Sequence, residues 1–302
     1  MPIYALVLTT PPAKPALSQL VADHAWSLIP EIQRRSQEWL APGEAWLGEF
    51  ATNDADGNAQ LKAELTRVFQ GLTIDINVVT GDQRQRRKML LIADMDSTII
   101  RQECIDELAD MAGMKTEVAD ITERAMRGDL EFEAAVTHRV GLLKGLDVAS
   151  IQRVIDERLT VMPGAHTLVS TMKANGAFTA LVSGGFTAFT SHIAAEVGFD
   201  VDQANRLDIA DGCLAGTVGW PILGREAKLI ALQRYQEERR LVPSDTLAVG
   251  DGANDLAMIK AAGLGVAYRA KPAVAAAASA SIVYGDLTSL LFLQGYQRSD
   301  FT

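Results

Sequence analysis

Two carboxylates stand two residues apart in Leu90-Leu91-Ile92-Ala93-Asp94-Met95-Asp96-Ser97-Thr98, directly after four apolar residues. The apolar run reads as a buried strand. In extended chain, side chains at i and i+2 share a side. Two such charges repel unless a cation lies near them or one carries a proton, and both outcomes serve catalysis. A bare D-x-D could equally be a surface pair ending a strand; two later stretches supply the missing chemistry. Thr246-Leu247-Ala248-Val249-Gly250 is a second apolar strand that runs into Asp251-Gly252-Ala253-Asn254-Asp255 and a helix. Oxygen ligands of this kind suit Mg²⁺, although Asn254 or Asp255 also reads partly as an N-cap. Between them, Ala180-Leu181-Val182-Ser183-Gly184-Gly185-Phe186 is strand, small-residue turn and helix start. A hydroxyl and backbone N–H groups at a helix N-terminus form an anion site. Lys228 stands near the start of a predicted helix over 225–238; alone, such a lysine is solvated surface.

These stretches, in this order and on these elements, resemble the haloacid dehalogenase (HAD) superfamily of phosphatases. The likeness is closer still to its phosphoserine phosphatase branch and covers roughly residues 88–294. It includes Glu103, nine positions after Asp94, and Phe132 and Arg139 in the helical segment that follows. The resemblance implies a Rossmannoid parallel sheet with a helical cap inserted after its first strand. It also implies Mg²⁺-dependent hydrolysis of O-phospho-L-serine, as in the last step of serine biosynthesis. Asp94 is then the nucleophile, forming an aspartyl-phosphate. Asp96 is the general acid and later the general base, with the higher pKa of the two. Mg²⁺ is held by Asp94, Asp251 and the backbone carbonyl of Asp96. Ser183, Gly184 and Lys228 hold phosphoryl oxygens, and Asn254 belongs to the same substrate site. Glu103 pairs with the substrate ammonium and Arg139 with its carboxylate; Met126 and Phe132 line an apolar wall. Outside this company Glu103 is a first-turn helix acid, Arg139 a surface base, and Met126 and Phe132 cap core. Two other readings stay open. One is a phosphatase or phosphotransferase acting on another small phosphomonoester. The other is a non-catalytic amino-acid-sensing protein, against which the presence of Asp94, Asp96 and Lys228 argues.

The elements that position these residues fall into two domains. Residues 1–82 read as a small α/β unit: strand 3–8, helix 13–27, strand 45–50, helix 59–69, strand 72–79. It resembles an ACT-type module, with a packing or dimerisation appendage as the alternative and a homodimer through it as the expected partner. Residues 81–88 are polar and basic and read as a linker. Residues 88–297 form the catalytic domain, with strands near 90–94, 178–182, 246–250, 264–267 and 281–284 alternating with helices, hence a mostly parallel sheet. Ligands bind beyond the carboxyl ends of such strands. Residues 101–161 are a purely helical stretch, read as the cap, and 207–220 a β-hairpin.

Composition sets the outer bounds. The chain has 302 residues, 48% hydrophobic and 22% charged, as in an ordinary globular protein. A net charge of −10 excludes a nucleic-acid surface and requires local positive charge wherever a phosphate binds. No secretory leader or membrane span is read. Two cysteines give no disulfide framework, so a cytoplasmic protein is expected. The four histidines show no ligand spacing.

Overall fold

The computed structural model describes residues 1–302 except Gly128, Arg225 and the side chains of Ile32, Ala55, Asp56, Ala125, Met126 and Arg127. In chain order the elements begin with β1 (Ile3–Thr9), α1 (Gln19–Ser27), β2 (Arg34–Ala41), β3 (Ala45–Ala51), α2 (Ala55–Val68), β4 (Asp75–Thr80) and α3 (Gln83–Arg86). There follow β5 (Leu90–Ala93), α4 (Cys104–Met111), α5 (Lys115–Arg127), α6 (Phe132–Gly141), α7 (Ala149–Glu157), α8 (Ala165–Ala174), β6 (Phe178–Phe186), α9 (Thr187–Val197), β7 (Val201–Asn205), β8 (Leu207–Ala210), β9 (Cys213–Val218) and α10 (Ala227–Glu238). The chain ends with β10 (Thr246–Gly250), α11 (Leu256–Ala261), β11 (Leu264–Tyr268), α12 (Pro272–Ala277), β12 (Ala280–Ile282) and α13 (Ser289–Leu293).

The six-stranded sheet has the order β12-β11-β10-β5-β6-β7, and β6–β7, β10–β11 and β11–β12 pair in parallel. Every residue of β5, β10 and β11 is buried, as expected of parallel strands covered on both faces. Just ahead of β5, the Met89 N–H donates to the Asp245 carbonyl (2.7 Å) and the Met89 carbonyl accepts from Phe178 N–H (2.9 Å). β5 therefore starts between β10 and β6, and the strand order reverses at its carboxyl end, where open α/β sheets bind ligands.

The chain packs as two compact units, Met1–Leu91 with Pro163–Phe178 and Tyr235–Thr302, and Ile92–Met162 with Thr179–Arg234. In the first, β1–α1–β2–β3–α2–β4 forms an antiparallel sheet of order β2-β3-β1-β4, the split βαβ arrangement of ferredoxin-like modules. Leu6, Leu8, Ala22, Ala25, Trp46, Phe50 and Leu65 make its core. β4 does not end in solvent. The buried Asp75 carboxylate accepts N–H bonds from Val283, Tyr284 and Gly285 (2.8–3.2 Å). The Asn77 amide exchanges two bonds with the Ser281 backbone (2.8 and 3.0 Å). Side chains thus cap a strand edge that would otherwise invite pairing.

Three features depart from the sequence reading. The first helix starts at Gln19, because Ser18 caps it through Val21 N–H (3.3 Å). The strands β2 and β7 escaped notice because RRSQEWLA and VDQAN are too polar to read as strands; both are sheet edges. The basic segment 81–88 is no solvated linker: it holds α3 with its Asp82/Gln85 capping box. Arg86 is buried, bonding Glu49 (3.1 Å) and the Gly81 carbonyl (2.7 Å). The Lys88 ammonium donates to the carbonyls of Gln85 and Ser244 (2.6 Å each). Long cationic side chains carried their charges inward to carbonyls, which composition alone does not reveal. The first 91 residues accordingly share one compact unit with β10–β12.

The second unit carries the cap, α4–α7. α4 packs on α5 and α7, and α5 on α6, through Leu108, Val118, Ile121, Val136, Val140, Ile151 and Val154. The chain enters and leaves the cap as an antiparallel pair: Arg101 N–H to the Thr160 carbonyl (3.0 Å) and Met162 N–H to the Ile99 carbonyl (2.8 Å). The predicted hairpin is β8–β9, turned by Asp211-Gly212 with both φ angles positive (51° and 77°), as a tight hairpin turn requires.

Asp75→Ala leaves three backbone donors without their acceptor. Its urea midpoint should fall by the equivalent of about 1–3 kcal/mol. Asp54→Ala, which removes an exposed N-cap, should cost about 1 kcal/mol. Equal small losses would show that the Asp75 turn is not held by its carboxylate.

Candidate active site

The loop after β5 is built on one carbonyl. Met95 C=O accepts from Thr98, Ile99 and Ile100 N–H (3.3, 2.8 and 3.0 Å), and Ser97 takes a left-handed φ of 56°, a strained state for a residue with a Cβ. This curl turns Asp94 and Asp96 into the second unit. Asp94 is buried, and its Oδ1 lies 2.7 Å from Lys228 Nζ, itself buried at the first turn of α10. Asp96 Oδ1 accepts the Cys104 N–H (3.2 Å) at the start of α4. Burial, reinforced by the Glu103 charge, pushes the Asp96 carboxyl up to about 7, while Cys104 and Lys228 pull the other way.

Ser183, Gly184 and Gly185, expected from the sequence as a turn after the strand, lie inside the last part of β6, and one peptide among them is held at both ends. Gly185 N–H donates to Ser183 Oγ (2.9 Å), and the Gly184 carbonyl accepts from Asn205 Nδ2 (2.9 Å). With Ser183 Oγ accepting that bond, its own proton is left to donate. Gly185 has no Cβ for a reason: one placed there would come 3.0 Å from Asp96 Oδ2. At Gly184 a Cβ would come 3.2 Å from Phe132 Cζ, so the first residue of cap helix α6 closes directly over this segment.

Glu103 and Arg139 occupy the cap side. Glu103 Oε1 accepts from Ser97 Oγ (2.7 Å). Burial raises the Glu103 carboxyl, against that hydrogen bond and the charges of Arg139 and Lys228. The Arg139 guanidinium is half-buried; its Nη1 reaches Thr122 Oγ1 and its Nε the Ala135 carbonyl (3.4 Å each). Burial works against its charge, and Asp106, Glu103 and Asp96 sustain it. A carboxylate and a guanidinium, Glu103 and Arg139, thus lie close enough in this unit for each to act on the other's charge. Met126 falls on a side chain outside the described residues.

Asp251 and Asn254 lie in the first unit, after β10. Asp255 is fully buried and folds this loop: its Oδ2 accepts from Asp251 N–H (3.1 Å) and Gly252 N–H (2.9 Å). No side-chain cap bond is made at Asp255, so it organises the turn before α11 and does not cap the helix. Gly250 is required beside it, since a Cβ would fall 2.3 Å from Asp255 Cγ.

The second unit thus brings together Asp94, Asp96, Glu103, Phe132, Arg139, Ser183, Gly184 and Lys228. Sequence reasoning missed Asn205, which had no signal beyond ending a polar strand; it read Asp255 as an oxygen ligand or N-cap and did not foresee that its carboxylate holds the Asp251 and Gly252 N–H groups.

A family model described as haloacid dehalogenase-like hydrolase matches residues 91–260. A curated phosphoserine phosphatase of Streptomyces coelicolor is 42% identical over 253 residues, 83% of this chain; the chain spans 61% of that relative's length. A HAD family hydrolase of Salmonella enterica serovar Typhi superposes with a TM-score of 0.82 at 30% identity, covering 96% of this chain and 98% of that one. A phosphoserine phosphatase solved as a phospho-aspartyl intermediate analogue gives 0.64 at 40% identity, over 68% of this chain and 98% of that one. With its motifs at the ends of β5, β6 and β10, the chain belongs to the haloacid dehalogenase-like hydrolases.

Proposed function

We propose that this chain hydrolyses O-phospho-L-serine to serine and phosphate, with Mg²⁺, through an aspartyl-phosphate on Asp94. One observation carries the reading. A buried carboxylate held 2.7 Å from an ammonium stands two residues before a carboxyl that keeps its proton up to about pH 7. That is a nucleophile beside an acid, set apart by environment. Asp94 attacks phosphorus and the bond to the serine oxygen breaks, while Asp96 gives its proton to that oxygen. Asp96 then takes a proton from water, whose oxygen attacks the phosphoryl group and frees Asp94. Lys228 and the Ser183 hydroxyl offset charge on the phosphoryl oxygens.

Bound Mg²⁺ would supply the positive charge that lets a phosphate approach a carboxylate in a chain of net charge −10. Among the described residues, Asp94, Asp251 and Asp255 are the acids able to offer it ligands, an all-oxygen set of the kind Mg²⁺ takes. Glu103 pairs with the substrate ammonium, Arg139 with its carboxylate, and Phe132 gives an apolar wall; Asn254 contributes from the acidic turn. The likeness to phosphoserine phosphatases favours this substrate over other small phosphomonoesters. The ferredoxin-like module, with its exposed β2 edge, is read as an ACT-like unit through which two copies associate. Among the described residues no helix is long and apolar enough to cross a membrane, in keeping with a cytoplasmic reading.

Asp94→Asn should abolish turnover of phosphoserine with Mg²⁺ present, and Asp96→Asn should reduce kcat by roughly 10²–10⁴. An Asp94→Asn protein with near wild-type turnover would exclude the covalent route. Arg139→Ala should raise KM for phosphoserine far more than for p-nitrophenyl phosphate, which has no carboxylate. The charge-assisted bond is worth about 1.5–3 kcal/mol, or roughly 10- to 150-fold. Equal losses on both esters would remove Arg139 from substrate recognition.

Asp96 also sets a pH dependence of stability. Its folded pKa of about 7 lies above the unfolded 3.8. The folded state therefore binds more protons between these values, and stability is lost as pH rises through that window. Asp96→Asn has no such loss. In metal-free protein it should unfold at higher urea than wild type at pH 8, by about 0.5–2 kcal/mol, and the gap should shrink towards pH 4. A gap independent of pH would show that Asp96 is not held protonated.

A further inference from the structure

Asn205 is buried at the end of β7, 2% exposed, and spends its whole amide on two backbone points. Nδ2 donates to the Gly184 carbonyl (2.9 Å) and, longer, to the Leu223 carbonyl (3.4 Å). Oδ1 accepts the Leu223 N–H (2.6 Å). Gly184 follows Ser183 near the end of β6. Leu223 lies five residues before Lys228. The two points share one further neighbour: a Cβ at Gly184 would come 3.2 Å from Phe132, and one at Gly224 3.7 Å from Phe132 and 3.2 Å from Glu133 Oε1. Both segments under the cap's leading edge are therefore tied to one side chain.

We infer that Asn205 is a positioning residue that fixes the Gly184 peptide and the approach to Lys228 as a single phosphate-binding floor. The chemistry explains why an amide is needed. The Gly184–Gly185 peptide is held at its N–H by Ser183 and at its carbonyl by Asn205. Loss of the second bond frees the plane to rotate, and the Ser183 hydroxyl, which accepts from that N–H, loses its aim with it. The Leu223 backbone presents both a donor and an acceptor, and only a primary amide answers both from one planar group. A carboxylate could keep the Leu223 N–H bond but would set an anion against the Gly184 carbonyl. The group touches no substrate atom; it acts through Ser183, Gly184 and Lys228, so its effect falls on the phosphoryl end and leaves the choice of alcohol unaltered.

The inference rests on the phosphatase reading. The test compares wild type and Asn205→Asp with phosphoserine and with p-nitrophenyl phosphate, and measures competitive inhibition by inorganic phosphate. The expected result is a folded variant whose kcat falls tenfold or more, by the same factor on both esters, with a matching rise in the phosphate inhibition constant. Near wild-type kcat on both esters would overturn it, as would a loss confined to phosphoserine. Should Asn205→Asp fail to fold, Asn205→Thr keeps a donor for the Gly184 carbonyl and should retain more of the phosphate affinity than Asn205→Ala. If none of these variants folds, Asn205 serves the fold and the inference fails. If wild type hydrolyses p-nitrophenyl phosphate but not phosphoserine, the substrate reading fails while the Asn205 comparison stands on the first ester. If wild type hydrolyses neither, the phosphatase reading fails, and an unchanged phosphate affinity by calorimetry in Asn205→Asp would overturn the inference as well.

Discussion

A carboxylate and an ammonium buried 2.7 Å apart, Asp94 and Lys228, set the terms for everything around them. Such a pair adds little net stability, because both ions must first leave water. Removing either alone would leave the other buried without its ion-pair partner. The pair therefore constrains the fold without being its source of stability. It requires a strand that delivers Asp94 into the interior and a helix whose first turn brings Lys228 to meet it. β5 meets the first requirement by being buried throughout, and α10 the second. The energy that holds them comes from the apolar sheet and its covering helices, and the site draws on that reserve.

The same charge crowding explains the chemistry assigned to Asp96. Asp94 and Asp96 are separated by one residue, yet their surroundings differ. Asp94 faces the lysine. Asp96 faces Glu103, a like charge, in a setting with little water, and its carboxyl rises to about 7. The loop makes this division possible through the left-handed Ser97 and the triple use of the Met95 carbonyl. A relaxed turn would place the two acids alike. Strain at a site of this kind is offset by the packing around it.

Glycines mark where backbone and functional groups approach most closely. Gly185 admits Asp96, Gly184 admits Phe132, and Gly250 admits Asp255. A methyl group at Gly250 would collide with Asp255, and one at Gly184 or Gly185 would crowd Phe132 or Asp96. The small residues at the end of β6 thus lie directly against the cap residue Phe132. Asn205 and Asp255 play matching parts in the two units, each a buried side chain that binds backbone groups of a neighbouring segment.

The sequence by itself determined the parts that depend on local pattern. The four apolar residues before Asp94 and the run Thr246–Gly250 before Asp251 were legible because burial on both faces leaves a largely apolar run. The helical stretch between Asp94 and Ser183 was legible as a cap from its length. Glu103 and Arg139 were singled out for the substrate end only through family likeness. What the sequence could not show were features whose partners lie far along the chain. Arg86 and Lys88 looked like a solvated linker, and only the fold supplied Glu49 and the Ser244 carbonyl to take their charges inward. Asp75 carried no signal in the sequence; its carboxylate finds its partners in segment 283–285, 208 to 210 residues later. β2 and β7 hid because edge strands need only one buried face and tolerate polar residues. Asn205, in the polar run Val-Asp-Gln-Ala-Asn, became visible only when Gly184 and Leu223 came to its two amide ends. Local pattern fixes which residues can do chemistry; hydrogen bonds between distant segments, which no short window contains, decide how they are held.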